Sequence, residues 1–290
     1  MIKLKKNAKN TKNPFELIRK IALFFCISIF LMSGFFLAKE LLIDPFLFDR
    51  KIDEIKDIKK ESEDSNSEKS HDFEKLMEIN PDIKGWIKIN DTPIDYPVLQ
   101  SSQEEPIFYL DKNFEKKQDK NGSIFINSYN AMFDERTQNT VMHGHSMKTG
   151  KMFAYLLKYS DIDFLKSHHI IEFDSIYEKG KWKVFAIIKT NSDEKNGPLF
   201  DYFSPNFDSQ DQFLQLINDI KERSLINIPV DIVNDDKIIS LSTCSYETDD
   251  ARTVVFARKL RPGESESIEF DKIVKNKNPI KPQGWNKKHK

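Results

Sequence analysis

Glycine is scarce in this chain, with 9 in 290 residues. Neither GxGxxG nor GxxxxGK occurs, which excludes the Gly-rich loops that cradle phosphates. Cysteine is scarcer: there are two, Cys26 and Cys244. Two such distant cysteines make no disulfide framework, and no intramolecular bridge is expected. Basic charge is outnumbered in the body of the chain. The formal net charge is -1, yet residues 1–20 carry seven basic side chains against Glu16, and 272–290 carry seven lysines and no acid. The middle, 21–271, holds 31 basic and 45 acidic residues, a balance of -14. A nucleic-acid-binding core would carry its basic patch on the folded part, so that class is excluded. Disorder throughout is excluded by a hydrophobic content of 39% and 23 Phe.

What the chain has begins with Ile21–Ala38, 18 residues without a charge. As a helix it spans roughly 27 Å, close to the hydrocarbon thickness of a bilayer. The basic residues precede it, so the positive-inside rule places 1–20 in the cytoplasm and the rest outside. A cleaved signal peptide is the rival reading. The run is long for that and no A-x-A site follows, so we read an uncleaved, single-pass membrane anchor. A buried soluble helix fits poorly, because the run is apolar on all faces.

Beyond the anchor the segment 39–72 reads as a helical and linker stalk. Phe48, Ile52, Ile55 and Ile58 give a helical period over 46–60. Residues 61–72 contain no aliphatic or aromatic side chain. Phe73–Ile79 reads as a short helix ending before Pro81. Eight candidate strands follow: 86–89, 94–99, 123–127, 140–142, 170–174, 182–189, 237–243 and 253–260. Two helices interrupt them, a weaker one over 152–159 and a stronger one over 211–223. In the latter Phe213, Leu216, Ile217 and Ile220 share a face, and Ser209-x-x-Gln212 resembles a capping box. Many short strands with few helices predict a mainly β fold, a barrel or sandwich. Residues 262–290 are a Lys-rich tail, expected to be poorly ordered.

Cys244 is the residue to explain. A small buried hydrophobe is one reading and a reactive thiol the other. It ends the strand Lys237–Thr243, next to the polar loop 245–250. Strand alternation puts Ser240, Ser242 and Cys244 on one face. If the next strand returns as a hairpin, Arg252 faces Cys244 across it. A guanidinium there can favour a thiolate or stabilise an oxyanion. Arg258, further along, reads as an exposed arginine on a strand edge. A thiol nucleophile needs an imidazole. Of six histidines, His71 lies in the linker, His289 in the tail, and His168 and His169 in a loop. His143 and His145 end a short apolar run in Thr140-Val-Met-His-Gly-His-Ser-Met147. Read as metal ligands, they lack a third partner.

Leu241-Ser-Thr-Cys-Ser-Tyr-Glu247 with Ala251-Arg-Thr-Val-Val255 resembles the sortase signature TLxTC and its downstream arginine. Val141-Met-His-Gly-His-Ser-Met147 is similar to the segment carrying the sortase histidine. Asn80-Pro-Asp-Ile-Lys-Gly-Trp-Ile-Lys-Ile89, Ile94-Asp-Tyr-Pro-Val-Leu-Gln100 and the helix 211–223 resemble class B sortases in particular. The resemblance covers 73–261. It implies an eight-stranded sortase β-barrel with N-terminal helices and a helix between the sixth and seventh strands. It implies Cys244 as nucleophile, His145 as acid/base and Arg252 as oxyanion stabiliser. His145 is preferred because it follows Gly144, while His143 falls where the family often has an aromatic residue. Ser242 and Thr243 then line the substrate approach, and Tyr202 and Leu110 align with groove positions. Glu247 reads as structural or as orienting a neighbour.

The implied activity is a transpeptidase. Cys244 attacks the Thr carbonyl of a C-terminal sorting signal on a secreted protein, and an amine of the cell-wall peptide resolves the thioacyl enzyme. No cofactor is implied. Two other readings are another cell-wall cysteine peptidase or L,D-transpeptidase, and a non-enzymatic membrane-anchored binding module. In the L,D-transpeptidases the Cys typically follows Gly and has an Arg close behind, whereas here Thr243 precedes it and Arg252 stands eight positions on.

Overall fold

The computed structural model describes residues 14–63, 73–129, 131–245 and 250–282. The chain divides into two compact units, Met1–Glu54 and Ile55–Lys290. Helix α1 (Pro14–Ala38) passes through a π turn (Lys39–Ile43) into α2 (Asp44–Glu63), of which the part up to Glu54 belongs to the first unit. The large apolar side chains of α1 are exposed, Phe24, Phe30 and Phe35 among them. This helix is long and apolar enough to cross a membrane.

The second unit is built on a closed eight-stranded barrel. Its strands are β1 (Ile83–Lys88), β2 (Asp95–Leu99), β3 (Ile124–Ile126), β4 (Asn139–His143), β5 (Ile170–Ser175), β6 (Lys181–Asn191), β8 (Ile238–Cys244) and β9 (Ala251–Lys259). They run round the barrel in the order β1-β2-β3-β4-β8-β9-β6-β5. Each of the eight runs of strand-forming residues becomes one of these strands. They can be buried on both faces because helices and long loops cover the barrel; β6 and β8 are buried almost throughout. Between β6 and β8, helix α5 (Gln210–Arg223) buries Phe213, Leu216, Ile217 and Ile220. The Ser209 hydroxyl accepts from the Gln212 amide, and Gln212 reaches back to the Asp208 N–H. The helix therefore lies between the sixth and seventh barrel strands. The shorter helices are α3 (Glu74–Ile79) and α4 (Ile162–Ser167). The weaker helical stretch, 152–159, is observed as a 3-10 helix over Ala154–Ser160.

Two pairings place the site. β4 runs parallel to β8, and β9 returns antiparallel to β8. The carboxyl ends of β4 and β8 and the start of β9 therefore meet at one end of the barrel.

Two expectations need correction. The chain after Pro262 is ordered as far as it is described. Ile273 is buried, and strand β10 (Val274–Lys275) pairs with β7 (Ile226–Asn227). Arg258 is fully buried, not exposed on an edge. Its guanidinium makes a two-pronged contact with Glu264, at 2.6 and 2.7 Å. Glu264 also accepts from Lys183 at 2.8 Å, and these cations hold its carboxyl well below the usual carboxylate range. A turn just after β9 supplies the counter-charge, which is why the arginine can be buried.

Candidate active site

The β8–β9 register sets Cys244 directly opposite Arg252. The Cys244 thiol is free and half-buried, as expected for a strand end beside a loop. The Arg252 guanidinium donates to the Ala251 carbonyl at 3.2 Å. His143 closes β4 beside Ser242 of β8, and the chain then runs through Gly144 to His145.

That passage is tightly tied to the cysteine strand. The Gly144 amide donates to the Ser242 carbonyl at 3.2 Å, and the Thr243 hydroxyl donates to the Gly144 carbonyl at 2.8 Å. A Cβ at position 144 would lie 2.4 Å from Ile124 Cδ1 and 2.8 Å from Phe153 Cδ2, so a side chain there would have to push Ile124 and Phe153 aside. The Phe153 amide holds the His145 carbonyl at 2.8 Å. His145 Nε2 donates to the Leu110 carbonyl at 2.7 Å.

His143, His145, Cys244 and Arg252 all line one cleft of about 760 Å³. Ile107, Leu110 and Tyr129 give it apolar lining, as do Leu199, Phe200 and Phe203. Ser242, Thr243 and Tyr202 also border it but are buried. Their hydroxyls are committed to the protein: Thr243 to Gly144, and Tyr202 to Ser242 at 2.9 Å. Burial pushes the Tyr202 phenol up to about 12. Leu110 is 40% exposed and borders the cleft. Glu247 lies outside the described residues.

The two histidines differ in surroundings. Burial, and then the Arg252 charge, lower His143 to about 4, so it is neutral at physiological pH. Its ring lies between Phe125 and Phe203. A neutral imidazole of that acidity has no proton to give at pH 7, which favours His145 for proton transfer.

Sequence reasoning missed the Leu110 carbonyl, a main-chain atom with no side-chain signature. It also missed Asn139, whose buried amide donates to the carbonyls of Tyr202 and Ser204 at 2.8 and 3.1 Å and accepts from Ser240 at 2.8 Å. Asn139 thereby fastens the 202–205 wall of the cleft to β4 and β8. Among the described residues no group of three or more His, Cys, Asp or Glu is placed to hold a metal ion.

A model of the sortase domain matches residues 87–260. The chain belongs to the sortase family. Sortase B of Staphylococcus aureus is 35% identical over 65% of this chain and 75% of its own length. Sortase B of Listeria monocytogenes is 33% identical over 77% of this chain and 88% of its own. Among solved structures, a Staphylococcus aureus sortase B–substrate complex superimposes with a TM-score of 0.67 at 30% identity, covering 76% of this chain and 99% of that one. Sortase B from Bacillus anthracis in complex with AAEK1 gives 0.64 at 28% identity, over 76% and 100%. This sortase is thus a class B cysteine transpeptidase. The readings as an L,D-transpeptidase, another cell-wall peptidase or a binding module give way to it.

Proposed function

We propose that this sortase cleaves a C-terminal sorting signal on secreted proteins and joins them to an amine of the cell-wall peptide. The observation that carries the reading is the register pair Cys244–Arg252, in one cleft with His145. The Cys244 thiolate attacks the Thr carbonyl carbon. The guanidinium of Arg252 stabilises the resulting oxyanion. As the tetrahedral species collapses, the C–N bond breaks and His145 gives its proton to the departing amine. A thioester on Cys244 remains. The incoming amine attacks it, loses a proton to His145 and expels the thiolate, which restores the enzyme.

A substrate complex of Staphylococcus aureus sortase B and a sortase B complex with triglycine, an amine-bearing peptide, support this two-step reading. Residues 21–38 anchor the enzyme in the membrane with the N-terminus in the cytoplasm. Ser242 and Thr243 act here mainly by shaping the cleft floor, and Leu110 by direct contact with peptide. Tyr202 braces the wall through Ser242. The experiment is cleavage of a Thr-containing sorting-peptide panel. Cys244→Ala and His145→Ala abolish turnover, while His143→Ala still cleaves at saturating peptide. Retained cleavage in Cys244→Ala contradicts the proposal, and loss only in His143→Ala reassigns the acid/base.

A further inference from the structure

His143 is a group in the cleft that the proposed chemistry leaves unused. Its register partners are Phe125 on β3 and Ser242 on β8. The imidazole lies 5.5 Å from the Phe125 ring and 6.1 Å from the Phe203 ring, the latter nearly parallel to it at 24°. These two rings, one from β3 and one from the 202–205 wall, pack beside the imidazole. Among the described residues neither of its ring nitrogens makes a hydrogen bond, although the residue lines the cleft. Held at about 4 by burial and Arg252, it stays neutral at working pH. A neutral imidazole presents one N–H donor and one acceptor nitrogen. Neither nitrogen is sealed off from solvent, so a group entering the cleft can reach both. An amide returns both, its carbonyl accepting and its N–H donating.

We infer that His143 is a substrate-binding residue whose imidazole exchanges hydrogen bonds with an amide group of the peptide lying in the cleft. The inference rests on the sorting-peptide reading above. The ring is held in place before binding, so little side-chain entropy is lost when the peptide arrives.

The test uses the full chain and a fluorogenic peptide with Thr at the scissile bond. His143→Phe keeps a flat ring between Phe125 and Phe203 and removes both nitrogens. KM is expected to rise ~5- to 30-fold, the effect of losing one to two neutral hydrogen bonds of about 1 kcal/mol each. The kcat, and the rate and pH profile of Cys244 alkylation by iodoacetamide, stay as they were. His143→Gln, which also offers a donor and an acceptor, recovers part of the KM. Replacing each peptide side chain in turn by Ala locates the amide. A histidine effect that vanishes with one replacement places it on that side chain; an effect that survives every replacement places it on the peptide backbone. An unchanged KM in His143→Phe overturns the inference, as does a shifted alkylation profile, which would put His143 in the proton machinery. A wild-type protein that cleaves no Thr peptide contradicts the sorting-peptide reading itself, and this inference with it.

Discussion

The Leu110 carbonyl accepts a 2.7 Å hydrogen bond from Nε2 of His145. A carbonyl has no hydrogen to give, so the proton is on Nε2, and Nδ1 is the nitrogen left to exchange a proton with thiol or amine. The bond crosses 35 positions of sequence and ties the proposed acid/base to the loop before β3. Nitrogen-15 NMR of the histidine side chains should find His145 as the Nε2–H tautomer when neutral. An Nδ1–H tautomer would contradict this arrangement.

Gly122 backs the same carbonyl. It sits at φ +59°, and a Cβ there would lie 2.3 Å from the Leu110 oxygen and 2.9 Å from its carbonyl carbon. Both are main-chain atoms that cannot swing aside. Gly122→Ala must therefore displace the Leu110 carbonyl and with it His145. We expect kcat to fall about 10- to 100-fold, the scale of an ångström-sized misplacement of a catalytic group. Steady-state kinetics at saturating peptide checks this; an unchanged kcat would mean that the Leu110 contact does not matter for turnover.

His143 should make its mark on acid stability. Its folded pKa, about 4, lies below the unfolded value of about 6.5, so below pH 6.5 the unfolded chain takes up the proton first. The contribution is fully present above pH 6.5 and is lost as pH falls towards 4, amounting to roughly 3 kcal/mol at most. His143→Phe should flatten that part of the stability curve. Urea unfolding at pH 7, 5.5 and 4 reads it directly, and an identical acid slope in the variant would refute the assignment.

Arg258 and Glu264 predict a stability effect away from the cleft. Removing Glu264 leaves a fully buried guanidinium without its two-pronged partner. Glu264→Ala should cost ~3 kcal/mol, the scale for breaking a buried pair from one side. Arg258→Met together with Glu264→Leu should recover much of it. Thermal unfolding of the single and double variants settles the point, with the peptide-cleavage rate of the folded fraction expected to be unchanged.

Much of this was legible in the sequence, and unevenly so. The eight barrel strands were visible because each is a short apolar run bounded by turn residues. Cys244 facing Arg252 followed from a hairpin with a short loop. The parallel β4–β8 pairing that brings Gly144 and His145 to the cysteine strand was not visible, since strand order leaves no local pattern. β7 and β10 are two residues each, too short for any periodicity. Arg258 was misread because its partner Glu264 lies beyond the strand, in a turn. The roles of Asn139 and the Leu110 carbonyl arise from contacts distant in sequence, one of them through a backbone atom that every residue carries.

The central claim is that Cys244 forms a thioester with the Thr of a sorting peptide. Intact-protein mass spectrometry after mixing enzyme and peptide without an amine acceptor tests it most directly. The wild-type chain should gain the mass of the peptide through its Thr, on Cys244, and release that fragment when an amine is added. Cys244→Ala should show neither adduct nor cleavage. Cleavage by Cys244→Ala, or wild-type turnover without any adduct on Cys244 under rapid quench, would contradict it.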